Sequence, residues 1–139
     1  MPDLSRITAY LAFNGNCREA MQFYKECLGG RLLLQSMEQS PLGKRMPSGM
    51  KKHILHAVLK GNAFTIFGTD VLPEEGRLQG NNIMMAFMCS NKKQLHALCK
   101  KLSGNETPAQ RMSLDDQSMV EVKDKYGNCW LLYCKAEAA

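Results

Sequence analysis

No pair of cysteines in this chain stands in a C-x-x-C arrangement, although it has six (Cys17, Cys27, Cys89, Cys99, Cys129, Cys134). A chain long enough to bury a full core has little need of covalent staples, so the cysteines read as reduced, mostly buried thiols. No apolar run approaches the roughly 18 residues of a membrane helix, which excludes a helical spanning segment. The opening stretch MPDLSRITAYLAF has neither the basic start nor the apolar centre of a secretory signal, and a cytoplasmic protein is expected. Aromatic residues are missing from both basic clusters, Lys44, Arg45, Lys51 and Lys52 in one stretch and Lys92, Lys93, Lys100 and Lys101 in another. Nucleic acid binding wants basic charge interleaved with stacking or base-reading groups, so the net charge of +5 is assigned to solvated surface.

What is present is pattern. Ile7 to Phe13 places apolar residues on both faces of a strand, as for a strand buried on two sides. Asn16 followed by Glu19 has the form of a capping box. Ala20, Phe23, Tyr24, Cys27 and Leu28 then recur at helical spacing until Gly29 and Gly30 stop the helix. Arg31 to Met37 reads as a strand. The segment from Gln39 to Lys52 is too irregular for either period and reads as a solvated loop, or as a lid whose Lys44 and Arg45 meet an anionic substrate. HILHAVLK and AFTIFG, joined by Gly61 and Asn62, read as a hairpin with a two-residue turn.

The same order returns after a polar linker. Ile83 to Cys89 is a strand, and Ser90 or Asn91 caps a helix carrying Leu95, Leu98, Cys99 and Leu102, closed by Gly104. Thr107 to Met112 is a weak strand interrupted by Pro108, and Met119 to Lys123 pairs with Cys129 to Cys134 around DKYGN. The stretches GNAFTIF and GNCWLLY therefore mark the last hairpin of a βαβββ unit written twice. Module 1 spans about residues 5–70 and module 2 about residues 81–135 of a single α+β domain covering 1–139.

Phe13 to Gly30 (F-x-G-x-C-x-E-A-x-x-F-Y-x-x-x-L-G-G), His56 to Leu59 (H-A-x-L) and Asp124 to Trp130 (D-x-Y-G-x-x-W) together resemble the vicinal oxygen chelate superfamily. Within it the chain is similar to the PhnB-like branch, relatives of glyoxalases, bleomycin-resistance proteins and dioxygenases. The resemblance implies curled mixed sheets around a cavity, usually in a homodimer. It also implies a divalent ion held by His, Gln or Glu near the positions of Ala9, Thr65 or Phe67, Asn82 or Met84, and Leu131. None of these is His, Asp, Glu or Cys, so no cofactor is expected, and a divalent metal would need ligands from another register or from across a dimer interface. His53 and His56, three apart on a strand, point to opposite faces and do not chelate one ion.

Alternation sorts the remaining candidates. Ala57, Leu59, Phe64 and Ile66 share the face that seats a helix, while His56, Val58, Thr65 and Phe67 share the other, with His56 opposite Phe67. Trp130, Leu132 and Cys134 pack under a helix, and Leu131 and Tyr133 look inward. The expected ligand cavity is lined by His56, Thr65, Phe67, Met84, Leu131 and Tyr133. His56 is either a buried, hydrogen-bonded histidine or a polar anchor or general base. Met84, Met85 and Met88 are either adaptable core packing or part of a cavity for varied apolar ligands. Tyr10 and Tyr24 read as structural. The expected function is binding of a small, partly apolar molecule without a metal. The alternative is a metal-dependent lyase, isomerase or dioxygenase. A methyltransferase comes last, since no glycine-rich strand-to-helix turn is present.

Overall fold

Each copy of the repeat folds as its own sheet with one helix. The computed structural model describes residues 5–41, 48–104, 110–111 and 119–134. The chain divides into two compact units, Met1–Arg77 and Leu78–Ala139. The first contains β1 (Ala9–Ala12), α1 (Cys17–Leu28), β2 (Arg31–Ser36), β3 (Ile54–Lys60) and β4 (Thr65–Thr69). Its strands lie in the order β1-β4-β3-β2, with β1 parallel to β4 and the other pairs antiparallel.

Helix α1 turns its apolar stripe, Cys17, Ala20, Met21 and Tyr24, inward, and all four are buried. Opposite it lie Ala57, Leu59, Ile66 and Gly68, also buried apart from the glycine's missing side chain. Gly68 is the close point: a Cβ there would stand 2.9 Å from Met21 Sδ and 3.0 Å from Cys17 Sγ, so the helix approaches because no side chain intervenes. At the helix end Gly29 and Gly30 adopt φ of 79° and 100°, a region that disfavours residues with a Cβ.

The start of α1 departs from the sequence reading. Asn16 makes no capping hydrogen bond with its side chain. The acceptor comes from the end of β4 instead: the amides of Gly15 and Cys17 donate to Asp70 Oδ1 at 2.9 and 3.0 Å. Ile54 N–H donates to Asp70 Oδ2 at 2.7 Å. A carboxylate tied to three backbone donors outcompetes a local asparagine, and it also joins α1 to the start of β3.

The second unit contains β5 (Met84–Cys89), α2 (Lys92–Ser103), β6 (Gln110–Arg111), β7 (Met119–Lys123) and β8 (Cys129–Cys134), in the order β5-β8-β7-β6. This is the topology of the first unit repeated, again with the outer strand parallel and the rest antiparallel. Asn91 caps α2, its Oδ1 accepting from Gln94 N–H at 2.8 Å. Leu95, Leu98 and Leu102 of α2 are buried, as are Val120, Val122, Trp130, Leu132 and Cys134 on the strand faces beneath. Of the expected weak strand Thr107 to Met112, Gln110 and Arg111 form β6; the remainder lies outside the described residues.

Two further expectations change. The β3/β4 connection is a four-residue loop, since Lys60 pairs with Thr65, and Gly61 N–H donates to Phe64 O at 2.9 Å. Phe64 leaves the strand because its ring lies over Gly61, where a Cβ would collide with it. The segment between β2 and β3 is also partly ordered by pairing: Met37 N–H donates to His53 O at 2.8 Å, Glu38 N–H to Lys51 O at 3.0 Å, and Ser48–Met50 forms a 3-10 turn. The lid candidates Lys44 and Arg45 lie outside the described residues.

Candidate functional site

The helices cover one face of each sheet, and the candidate residues stand on the other. On the first sheet this open face carries His56 and Val58 of β3 with Thr65 and Phe67 of β4, all half-buried. The register differs from the expected one: Phe67 pairs with Val58, not with His56. The slip is two residues, so every side chain keeps its face. His56 and Phe67 remain diagonal neighbours with ring centroids 5.1 Å apart.

Tyr10 completes this group and was missed. It is paired with Phe67 across β1/β4 and its ring contacts both Phe67, at 5.9 Å, and His56, at 6.0 Å. β1 is therefore not buried on two sides: Tyr10 is 56% exposed, whereas Tyr24 is fully buried in the core. β1 lies at the sheet margin with its helix face toward α1, so its alternate residues remain uncovered. Leu33 on β2, 59% exposed and paired with Val58, extends the apolar open face. Three rings in mutual contact, one carrying a hydroxyl and one an imidazole, form a surface suited to a flat apolar group with a polar substituent.

The open face of the second sheet is sulfur-rich. Met84 and Met88 are 36% and 52% exposed, so neither is core packing; Met85, on the helix side, is half-buried. Met84 pairs with Cys129, Ala86 with Leu131 and Met88 with Tyr133. Leu131 and Tyr133 are half-buried between buried neighbours of β8. β7 adds Met119 and Glu121 to the same face, paired with Tyr133 and Leu131. The sequence reading left Glu121 out, though alternation with the buried Val120 and Val122 marks its face.

The motif D-x-Y-G-x-x-W has a structural role. Asp124 Oδ1 accepts from the amides of Tyr126 and Asn128 at 2.8 and 3.0 Å, and Oδ2 accepts the indole N–H of Trp130 at 2.8 Å. Gly127 closes the turn at φ 85°. A buried carboxylate thus fixes the hairpin and orients the indole under α2. The buried thiols are equally unsuited to chemistry. Burial pushes Cys17 up to about 12, helped by the charge of Asp70, and burial with the neighbouring Cys134 pushes Cys89 up to about 11.

The residues at the positions where the resemblance places metal ligands offer no donor set, and among the described residues no three of His, Cys, Asp and Glu come together. A methyl donor of the adenosyl type fits no better. Only one pair in each sheet is parallel, so the described strands form no doubly wound crevice, and the amides of Gly15 and Cys17 are already engaged by Asp70.

The model of the family described as 3-demethylubiquinone-9 3-methyltransferase matches residues 5–133. Among solved structures, protein PA1353 from Pseudomonas aeruginosa is similar with TM-score 0.79 and 27% identity over 94% of this chain and 98% of that one. A PhnB protein from Bacillus cereus gives TM-score 0.70 and 20% identity over 94% and 100% of the two chains. A glyoxalase family protein from Bacillus anthracis gives TM-score 0.56 and 18% identity over 98% and 100%. No curated protein matches the chain. The chain belongs to the family described as 3-demethylubiquinone-9 3-methyltransferase, and it shares its fold with the PhnB protein and the glyoxalase family protein.

Proposed function

We propose that this protein binds a small, partly apolar molecule against the open faces of its sheets, without a divalent ion. The observation that carries this reading is the contact group Tyr10, His56 and Phe67 on the sheet face opposite α1, with Tyr10 more than half exposed and the other two rings half-buried. Apolar surface held open beside a few polar atoms costs stability unless a partner covers it. Thr65 adds to the lining on this first face, and Met84, Leu131 and Tyr133 line the open face of the second sheet. His56 is the polar anchor: its imidazole can both donate and accept, and it lies against the rings of Tyr10 and Phe67, with centroids 6.0 and 5.1 Å away.

The described cysteines are all free thiols, which supports a reducing, cytoplasmic setting. No described helix is long and apolar enough to cross a membrane. We place the protein as a homodimer, the usual state in the superfamily it resembles. Methyl transfer, named by the family description, has no seat for its donor among the described residues, so no step is derived for it.

The test is a titration of the full chain with Nile red, followed by competition with a library of small aromatic compounds, on the wild type and on His56→Phe. Saturable binding to the wild type, with loss of the polar competitors but an unchanged fold in His56→Phe, is expected. Metal content measured on chelator-free, untagged protein with nickel, zinc, iron and manganese added back separates the alternative. One tightly held ion per chain would replace this reading with a metal-dependent lyase, isomerase or dioxygenase.

A further inference from the structure

Among the described residues one carboxylate, Glu121, stands on the open face of the second sheet. Glu121 is half-buried at the centre of β7, between Val120 and Val122, which are buried under α2, so its side chain is directed to the opposite face. Its cross-strand partners are Leu131 on β8, with Ala86 beyond it, and Gln110 on β6. Along β7 the same face carries Met119 on one side and the exposed Lys123 on the other. The Glu121 carboxylate makes no hydrogen bond or ion pair with any described residue, Lys123 included.

The chemistry of the neighbours decides what would satisfy it. A half-desolvated carboxylate among thioethers and aliphatic groups gains most from a cation or a charged hydrogen-bond donor. Tyr133 is the diagonal neighbour of Glu121, since it pairs with Met119 two residues away, which puts the two side chains ~7–8 Å apart. A carboxylate with an aromatic ring at that spacing can hold one organic cation between them, the ring through its π face and the carboxylate through its charge. Met88, paired with Tyr133 on its far side, and Met119 supply polarizable contacts for the apolar body.

We propose that Glu121 is the charge-selecting residue of the ligand site, and that its ligand is an organic cation with an apolar, preferably aromatic, body. This rests on the reading of the open faces as a ligand site and names the class of ligand.

The experiment is a calorimetric titration of the full chain with three compounds that share one apolar body and differ in head group: phenylbutylammonium, phenylbutanol and phenylbutanoate. The cation is expected to bind best and the anion least, and the cation's advantage should shrink as salt is raised while the alcohol's affinity stays constant. Glu121→Gln should weaken the cation about tenfold, the loss of one charge-assisted contact, and leave phenylbutanol within about twofold. Equal binding of cation and alcohol by the wild type, or an unchanged cation affinity in a folded Glu121→Gln, would overturn the assignment and leave the small-molecule reading standing. Binding of none of the three would overturn both. The wild-type ranking and its salt dependence need no variant, so a poorly folding Glu121→Gln does not shelter the proposal.

Discussion

Tyr10 and Phe67 stand opposite one another across the parallel β1/β4 pair, with ring centroids 5.9 Å apart and planes at 79°, an edge-to-face contact on the uncovered side of the sheet. Such a pair contributes ~0.5–1.5 kcal/mol beyond its buried area. Because Tyr10 is more than half exposed, Tyr10→Ala should lower stability by only about 1 kcal/mol in urea denaturation. It should weaken Nile red binding severalfold in the same preparation. A loss of stability with unchanged affinity would make the ring a packing residue and remove it from the site.

Asp70 ties three segments together, and its replacement should show this. Gly15, Cys17 and Ile54 all donate to its buried carboxylate, and Asp70→Ala would leave those donors to find water or remain unpaired. A cost of about 3 kcal/mol is expected from the loss of hydrogen bonds to a charged group, and Asp70→Asn should recover part of it. The amide exchange of Cys17 and Ile54 is the specific readout, since both should lose protection before the rest of the unit. Uniform loss across the whole first unit would mean that the carboxylate supports global stability without local anchoring.

How far the sequence reached follows from the range of each interaction. Alternation along β3, β4 and β8 was enough to place His56, Thr65, Phe67, Leu131 and Tyr133 on open faces, because side-chain direction in a strand depends only on parity. The same parity protected the face assignment when the β3/β4 loop proved to be two residues longer than a Gly61-Asn62 turn. Turn length depends on Phe64 folding over Gly61, a contact that no propensity encodes. Asn16 and Glu19 formed a local capping pattern, but the true cap, Asp70, lies 53 residues from Cys17 and has no local signature. Tyr10 was assigned to structure because its strand reads as apolar on both faces. Which face α1 leaves open is settled only when the sheet is assembled.

Buried thiols give the protein an alkaline limit. The thiols of Cys17 and Cys89 lie at about 12 and 11, above the ordinary value of 9.0 that they regain on unfolding. Below pH 9 both states hold these protons and the contribution is complete. As pH rises from 9 toward 11 or 12 the unfolded chain releases protons that the folded one retains, so stability falls. Urea midpoints between pH 7 and about pH 10.5 should decline only above pH 9. Cys17→Ala should flatten that decline relative to its own neutral-pH midpoint, and an equal slope in the variant would assign the loss to other groups.

Trp130 is the chain's only tryptophan, and it donates its indole N–H to Asp124 at 2.8 Å beneath α2, so its fluorescence reports on one hydrogen bond and one packing layer. The native emission should be blue-shifted and quenched little by iodide. In Asp124→Ala the indole loses its acceptor and the hairpin loses the two amide bonds to Oδ1, at a cost of about 2–3 kcal/mol. Trp130→Phe keeps most of the apolar volume and leaves Asp124 with its backbone donors, so it should cost less. Equal costs would mean that packing under α2, and not the Asp124 contact, holds the hairpin. The expected ordering, with Asp124→Ala the more damaging, would show that the D-x-Y-G-x-x-W motif holds the turn through its carboxylate.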